Sequence, residues 1–266
     1  MTNAGRPKLR QRSSIRRSRA TDIKAIRQWL EEEEAQSVPG NFLCNWSIIE
    51  RSDRDGELLV YIDGATGLPV AFQLGRLLHS GILQVKYDYR GRGIGRKMVE
   101  HCVQLALRDD QCLLHIQCKP SCSIPFWQRM GFKVVKDNMG RNNAFRILPK
   151  HLPLPDGGAH TRVVIRFYPE NRKWTESAEP FSEQITAGRK LSCGTVKLDE
   201  RVLFHETPHP DAGDVVVEIE VDGKRLHLDK AKYEESQAIG VVRCKNGWFI
   251  DQIINAAPGM RERDSG

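Results

Sequence analysis

The chain has 266 residues, 39% of them hydrophobic and 28% charged, enough apolar material for a packed core in one large domain or two small ones. Of its 41 Lys and Arg, seven fall in positions 1–20, where there is no acid, so the remaining 34 basic residues are matched by 34 acidic ones; a neutral body disfavours nucleic acid as a partner. No apolar run reaches the roughly 18 residues of a spanning helix, and the basic start is not followed by an apolar stretch, so neither a membrane partner nor a secretory signal is expected and the expected location is cytoplasmic.

In chain order, residues 1–14 read as a disordered basic arm. Ile15 to Arg19 reads as a short strand. Thr21 or Asp22 then caps a helix whose Ile23, Ile26 and Leu30 share one face. Glu31 to Glu34 read as a solvated acidic face of that helix. Leu58 to Ile62, Pro69 to Leu74 and Ile82 to Val85 read as strands separated by Gly-containing turns. A long amphipathic helix follows, with Ile94, Met98, Val99, Cys102, Leu105 and Ala106 on one side. Cys112 to Ile116 reads as a strand, Ile124 to Met130 as a helix, Gly131 to Val135 and Phe145 to Leu148 as strands. This alternation predicts a mixed α/β domain over residues 15–150. Two prolines and a Gly-Gly pair within 151–160 read as a linker.

Beyond the linker the pattern becomes β. Arg162 to Phe167, Arg201 to Phe204, Val215 to Val221, Arg225 to Leu228, Ile239 to Cys244 and Trp248 to Ile250 are strand-like. Asp222-Gly223 and Asn246-Gly247 are hairpin signals. Residues 161–256 are therefore expected to form a small β-rich accessory domain, with 257–266 as a tail.

Seven cysteines, at 44, 102, 112, 118, 122, 193 and 244, form no C-x-x-C pair and are expected as free thiols, with Cys118 and Cys122 as small core residues. His205-Glu-Thr-Pro-His209 has the letters of a zinc-binding H-E-x-x-H helix, but Pro208 and Pro210 oppose a helix there. No metal is expected.

The segment Val85-Lys-Tyr-Asp-Tyr-Arg-Gly-Arg-Gly-Ile-Gly-Arg-Lys97 follows a strand and opens a helix. Glycines at 91, 93 and 95 allow close backbone approach, the helix N-terminus adds positive partial charge, and Arg90, Arg92, Arg96 and Lys97 add full charges. Together these make a phosphate cradle. It is neither a dinucleotide loop, since Arg96 stands where G-x-G-x-x-G needs its third glycine, nor a P-loop.

Arg90-x-x-Gly93-x-Gly95 at this junction resembles the pyrophosphate-binding motif of the GCN5-related N-acetyltransferase (GNAT) family. Phe126-Trp-Gln-Arg-Met-Gly-Phe132 resembles that family's closing helix and strand, and Ile15 to Asp22 its opening strand and turn. The resemblance implies a GNAT-like mixed sheet flanked by helices. It implies transfer of the acetyl group of acetyl-CoA, as cosubstrate, to a primary amine by direct attack on the thioester. It places the pantetheine arm on Leu83 and Val85 and the pyrophosphate on the N–H groups of Gly91, Arg92, Gly93, Ile94, Gly95 and Arg96. It also marks departures: Trp127 stands where relatives often carry a proton-donating Tyr, Pro120 where an Asn is common, and His115 where some carry a Glu base. His115 as base and Tyr87 as acid are the catalytic candidates; for His115 a structural role in its strand is the alternative, and Tyr89 reads as a packed ring. The implied partners are acetyl-CoA and an amine-bearing small molecule or protein, with homodimer formation left open. The rival reading is a non-catalytic acyl-CoA-sensing module whose β domain binds a partner.

Overall fold

The computed structural model describes residues 12–78, 81–173, 175, 177–209, 213–245 and 247–254. The chain divides into two compact units, Met1–Leu148 and Pro149–Gly266. Most of the expected basic arm and the whole tail lie outside the described residues.

The first unit runs β1 (Ser14–Arg17), α1 (Ala20–Ala35), α2 (Trp46–Arg54), β2 (Leu59–Ile62), β3 (Pro69–Gln73), β4 (Leu83–Val85), α3 (Ile94–Arg108), β5 (Leu113–Gln117), α4 (Ile124–Arg129), β6 (Lys133–Lys136) and β7 (Asn142–Ile147). It is a mixed α/β fold. The strands form two antiparallel sheets, ordered β1-β2-β3-β4 and β5-β7-β6. β4 and β5 are therefore each a sheet edge. The four residues of β2 are all buried because the strand is covered on both faces. Leu59 and Tyr61 join the core that α3 packs on, and Val60 and Ile62 the core under α1 and α2.

α1 starts earlier than the sequence suggests. Its N-cap is Arg19, not Thr21 or Asp22, because the Asp22 carboxylate reaches back to accept the Arg19 N–H at 2.8 Å and pairs with Arg16 at 2.5 Å. Nor is Glu31 to Glu34 a uniformly solvated face. Ile26, Trp29, Leu30 and Glu33 form one buried stripe at helical spacing. An unexpected helix, α2, packs against α1 through Ile49.

Among the described residues the second unit is one seven-stranded antiparallel sheet, ordered Lys224–Lys230, Val216–Val221, Ala159–Tyr168, Ser182–Lys190, Val196–His205, Gly247–Ile253 and Val241–Cys244. Its elements are β8 (Ala159–Tyr168), β9 (Ser182–Lys190), β10 (Val196–His205), β11 (Val216–Val221), β12 (Lys224–Lys230), α5 (Glu234–Ala238), β13 (Val241–Cys244) and β14 (Gly247–Ile253). Alternate residues such as Val163, Ile165 and Phe167 of β8 and Val217, Ile219 and Val221 of β11 meet in one apolar core. Asp222 and Gly223 both have positive φ and join β11 to β12 in a two-residue hairpin. The other hairpin differs from expectation: Gly247 already belongs to β14, paired with Cys244, and Asn246 lies outside the described residues. Within 151–160, Leu152 donates to the Asp199 carbonyl and β8 begins at Ala159, so this stretch is partly paired to β10 rather than an unstructured connection.

His205 ends β10, and 206–208 form a bend and turn in which the His209 N–H donates to the Glu206 carbonyl. His209 stacks on Phe181 at 4.4 Å and His205 Nε2 bonds Thr207 Oγ1, so the two histidines never share a helical face. Among the described residues no His, Cys, Asp and Glu group is arranged to hold a metal ion, and no helix is long and apolar enough to cross a membrane.

Candidate functional site

The site begins with the direction of the β4 backbone. In an antiparallel pair, residues alternate between those that exchange both hydrogen bonds with the partner and those whose N–H and C=O point away from it. Lys86 N–H donates to the Val70 carbonyl and Leu74 N–H to the Ile82 carbonyl, so the bonded pairs are 70/86, 72/84 and 74/82 in the observed register. Leu83 and Val85 are the intervening residues, and their backbone groups face the open edge of the sheet. The edge thus offers an extended ligand the groups a neighbouring strand would use, apart from the Val85 carbonyl, which accepts from Arg90.

Next along the chain, Gly91 and Gly93 have φ of 75° and 77°, the left-handed region that costs a residue with a Cβ about 1–2 kcal/mol. Gly93 is the N-cap of α3. That helix has neither a side-chain cap nor an acidic residue in its first turn, so its leading N–H groups, which have no intrahelical acceptor, are left to an anion. Each helix-end contact of this kind contributes about 0.3–1 kcal/mol. Gly95 serves another purpose: a Cβ there would lie 3.2 Å from Cζ of Phe126, so it lets α3 and α4 approach.

These features open on one cavity of about 460 Å³. Leu83, Gln84, Val85, Tyr89, Arg90, Gly91, Gly93, Ile94, Gly95 and Arg96 line it, facing Lys119, Pro120, Cys122, Ser123, Phe126, Trp127, Arg129 and Met130, with Pro39, Gly40 and Phe42 completing the wall. Gly40 sits against the Pro120 ring. Among the described residues, the charged ones lining it are Arg90, Arg96, Lys119 and Arg129, with no carboxylate, which suits a polyanionic ligand.

The side chains depart from expectation in places. The Arg90 guanidinium is committed to the protein, donating to the Val85 and Pro39 carbonyls at 3.1 and 3.0 Å. Arg92 is not among the lining residues; its guanidinium lies 4.7 Å above the Tyr89 ring, which is itself packed against the core. Cys118 is buried as expected, but Cys122 is exposed and lines the cavity, because it lies in the turn that leads into α4. Trp127 is buried edge-on between Phe126 and Phe132, so its indole fills the core.

The catalytic candidates lie apart from the cavity lining. Tyr87 is 53% exposed beyond the end of β4, and Arg90 stacks over its ring at 5.2 Å. His115 is 9% exposed in the middle of β5; its neighbours Leu114 and Ile116 face the α3 core, so alternation turns its side chain to the opposite face.

The sequence reading missed Glu33. It is only 5% exposed, and its carboxylate accepts the Tyr87 N–H at 2.6 Å and the Gln84 amide at 3.2 Å. Burial pushes its pKa above the ordinary carboxylate value, opposed by the Tyr87 bond, Arg90, Gln84 and Lys86. Gln84 in turn accepts the Phe42 N–H at 3.0 Å. The signal was present in position: Glu33 is seven residues after Ile26, on the buried stripe.

Residues 53–134 match the family described as an acetyltransferase (GNAT) domain. This segment is a GNAT domain. It runs from α2 to β6 and so contains β4, the glycine loop and α4. No curated protein matches the sequence. Similar solved structures include Ard1 from Thermoplasma volcanium (15% identity, TM-score 0.39, covering 51% of this chain and 97% of that one). Another is the PaiA N-acetyltransferase from Thermoplasma acidophilum, solved in complex with coenzyme A (14% identity, TM-score 0.40, 52% and 100%). A third is YjaB from Escherichia coli (23% identity, TM-score 0.37, 51% and 96%). The GNAT segment supports acetyl transfer as the general activity of the first unit.

Proposed function

We propose that this protein moves the acetyl group of acetyl-CoA to a primary amine by direct attack of the amine on the thioester. The observation that carries the reading is the convergence of two backbone surfaces on one cavity. The edge of β4 at Leu83 and Val85 suits an amide-rich arm, and the uncapped, glycine-led N-terminus of α3 suits a pyrophosphate.

An ammonium acceptor must lose a proton before it can attack; His115, which lies outside the cavity lining, is assigned as the base and would act through a water relay. The carbonyl oxygen becomes an oxyanion on attack, for which the outward Val85 N–H is the assigned donor. As the C–S bond breaks, the thiolate takes a proton, for which Tyr87, exposed two residues beyond Val85 in the chain and outside the cavity lining, is the assigned donor. Arg90 keeps the Val85 carbonyl occupied, which leaves the neighbouring N–H as the group the edge presents.

The buried indole of Trp127, in the helix where a tyrosine acid is common in the family, favours one rival: an acyl-CoA-sensing module without turnover. Calorimetric titration with acetyl-CoA, free CoA and a nicotinamide dinucleotide tests the cofactor, and mass detection of acetylated product from an amine panel tests transfer. Selective binding of the CoA compounds with product supports the enzyme. Selective binding without product supports the sensor, and no binding by folded protein removes both.

A further inference from the structure

Three segments meet at the cavity wall, to which Phe42 and Gln84 belong, through one chain of hydrogen bonds. The Phe42 N–H donates to Gln84 Oε1, the Gln84 amide nitrogen donates to Glu33 Oε2, and Glu33 Oε1 accepts the Tyr87 N–H. Each link fixes the direction of the next. Because Phe42 brings a donor, Gln84 must present its oxygen there and its NH2 group to Glu33; because both Gln84 and Tyr87 bring donors, residue 33 must accept on both oxygens. A carboxylate is the side chain that does this. Gln84 is 3% exposed, so a mispaired group there has no ready solvent partner.

The segments joined are the ones that shape the site. Phe42 belongs to the cavity wall contributed by the loop after α1, Gln84 lies between the two outward-facing residues of β4, and Tyr87 is the assigned acid. The charged groups facing Glu33 are Arg90 and Lys86, both from the segment that follows β4. Arg90 adds a parallel tie from the Val85 carbonyl to Pro39.

We propose that Glu33 is a positioning residue: by accepting from Gln84 and from the Tyr87 backbone it locks the 39–42 loop, β4 and the entrance to the glycine loop into a single wall, setting where the Tyr87 side chain stands relative to the cavity. The part concerning Tyr87 as acid rests on the transfer reading; the latch itself does not.

The directionality of the chain supplies the test. Glu33→Gln keeps an acceptor for Tyr87 but sets its NH2 against that of Gln84. Gln84→Glu sets two carboxylates together. The double variant E33Q/Q84E restores every donor–acceptor pair with the charge moved one residue along. In the full-length protein, amide hydrogen exchange at Phe42 and Tyr87 is expected to speed up about tenfold or more in each single variant and return to within about threefold of the original in the double one. The acetyl-CoA dissociation constant from calorimetry follows the same pattern. With tyramine and a tetrapeptide bearing a free N-terminus as amine probes, each single variant loses more in kcat than in KM for the amine, and the double variant recovers kcat. Unchanged exchange and affinity in E33Q overturn the latch, as does a double variant no better than the singles, even if one single fails to fold. Restored exchange and affinity without recovery of kcat overturn the positioning of Tyr87. If the unaltered protein neither binds acetyl-CoA nor acetylates either probe while exchange follows the cycle, the transfer reading falls and the latch stands.

Discussion

Gly95 of α3 faces the edge of the Phe126 ring of α4: a methyl group on Gly95 would stand 3.2 Å from Cζ and 3.3 Å from Cε2. The two helices that flank the cavity are held at this spacing by the absence of a side chain. Gly95→Ala is expected to gain helix propensity of about 1 kcal/mol and to lose it again in displacing the ring, so the melting temperature of the first unit changes by only a few degrees. The displaced ring narrows the cavity, and affinity for acetyl-CoA drops about tenfold. Calorimetry and a thermal melt on the same sample check the two halves; an unchanged affinity refutes the link between helix spacing and the cavity.

Gly93 has open space where a Cβ would project but a left-handed backbone. Gly93→Ala should therefore cost about 1–2 kcal/mol of stability through its backbone alone, with cofactor affinity reduced modestly. Gly93→Glu adds a carboxylate to the anion cradle and should remove detectable binding of acetyl-CoA while circular dichroism stays that of the folded protein. Similar affinities for the two variants would show that charge at the helix start is irrelevant.

Tyr87→Phe keeps the ring that Arg90 covers and removes the hydroxyl. If Tyr87 protonates the leaving thiolate, kcat falls by about 10²-fold or more with the acetyl-CoA dissociation constant unchanged. His115→Ala serves as the matching test of the base, through kcat at fixed pH. A Tyr87→Phe enzyme of unaltered kcat sinks the acid assignment.

Asp137 organises the turn between β6 and β7. Burial works to raise its pKa, but bonds from the Arg141 N–H and side chain, the Asn143 amide and the Met139 N–H outweigh it and bring the value down to about 2. A depressed carboxylate pKa contributes stability that is complete above the ordinary value near 3.8 and is lost as pH falls toward 2. Chemical shifts of Met139, Arg141 and Asn143 should titrate together near pH 2. Titration near pH 4 would show that the bonds do not form in solution.

Arg201 of β10 is buried, with its guanidinium gripping Asp251 of β14 at 2.7 and 2.6 Å and lying 4.0 Å over the Phe249 ring. Asp251→Ala leaves this cation buried without its carboxylate, and a loss of about 3 kcal/mol is expected in the second unit. Faster amide exchange confined to β10, β13 and β14 in that variant is the readout; uniform exchange rates would mean the pair contributes little.

The glycine loop was legible because its backbone demands exclude other residues. Positive φ at 91 and 93 and close approach at 95 each select glycine, so the geometry is written in the letters. Hydrophobic period likewise exposed α3 and the strands of the first unit. α2 was not legible: Trp46–Arg54 holds four charged residues and buries only Ile49 and Ser52, too few for a periodic signal. β9 escaped for a related reason. Its buried positions are Thr186 and Gly188 while Ile185 points outward, which inverts the usual alternation; Gly188 is there because a Cβ would strike the Lys197 carbonyl and Val196 of the adjacent strand. Glu33 was hidden by its neighbours, since four glutamates in a row look solvated until the 3.6-residue turn is counted.

The shortness of β4 has a consequence for how the protein behaves in a crowded solution. Unpaired strand edges template the stacking of one molecule on another, and proteins suppress this by keeping such edges brief or charged. β4 spans three residues, and the chain turns away immediately after it at Lys86 and Tyr87, which Glu33 pins. The segment that follows carries Arg90, Arg92, Arg96 and Lys97, a like-charge barrier to a second copy. The edge is long enough to engage a small extended molecule and too short, and too positively flanked, to recruit another sheet into an aggregate.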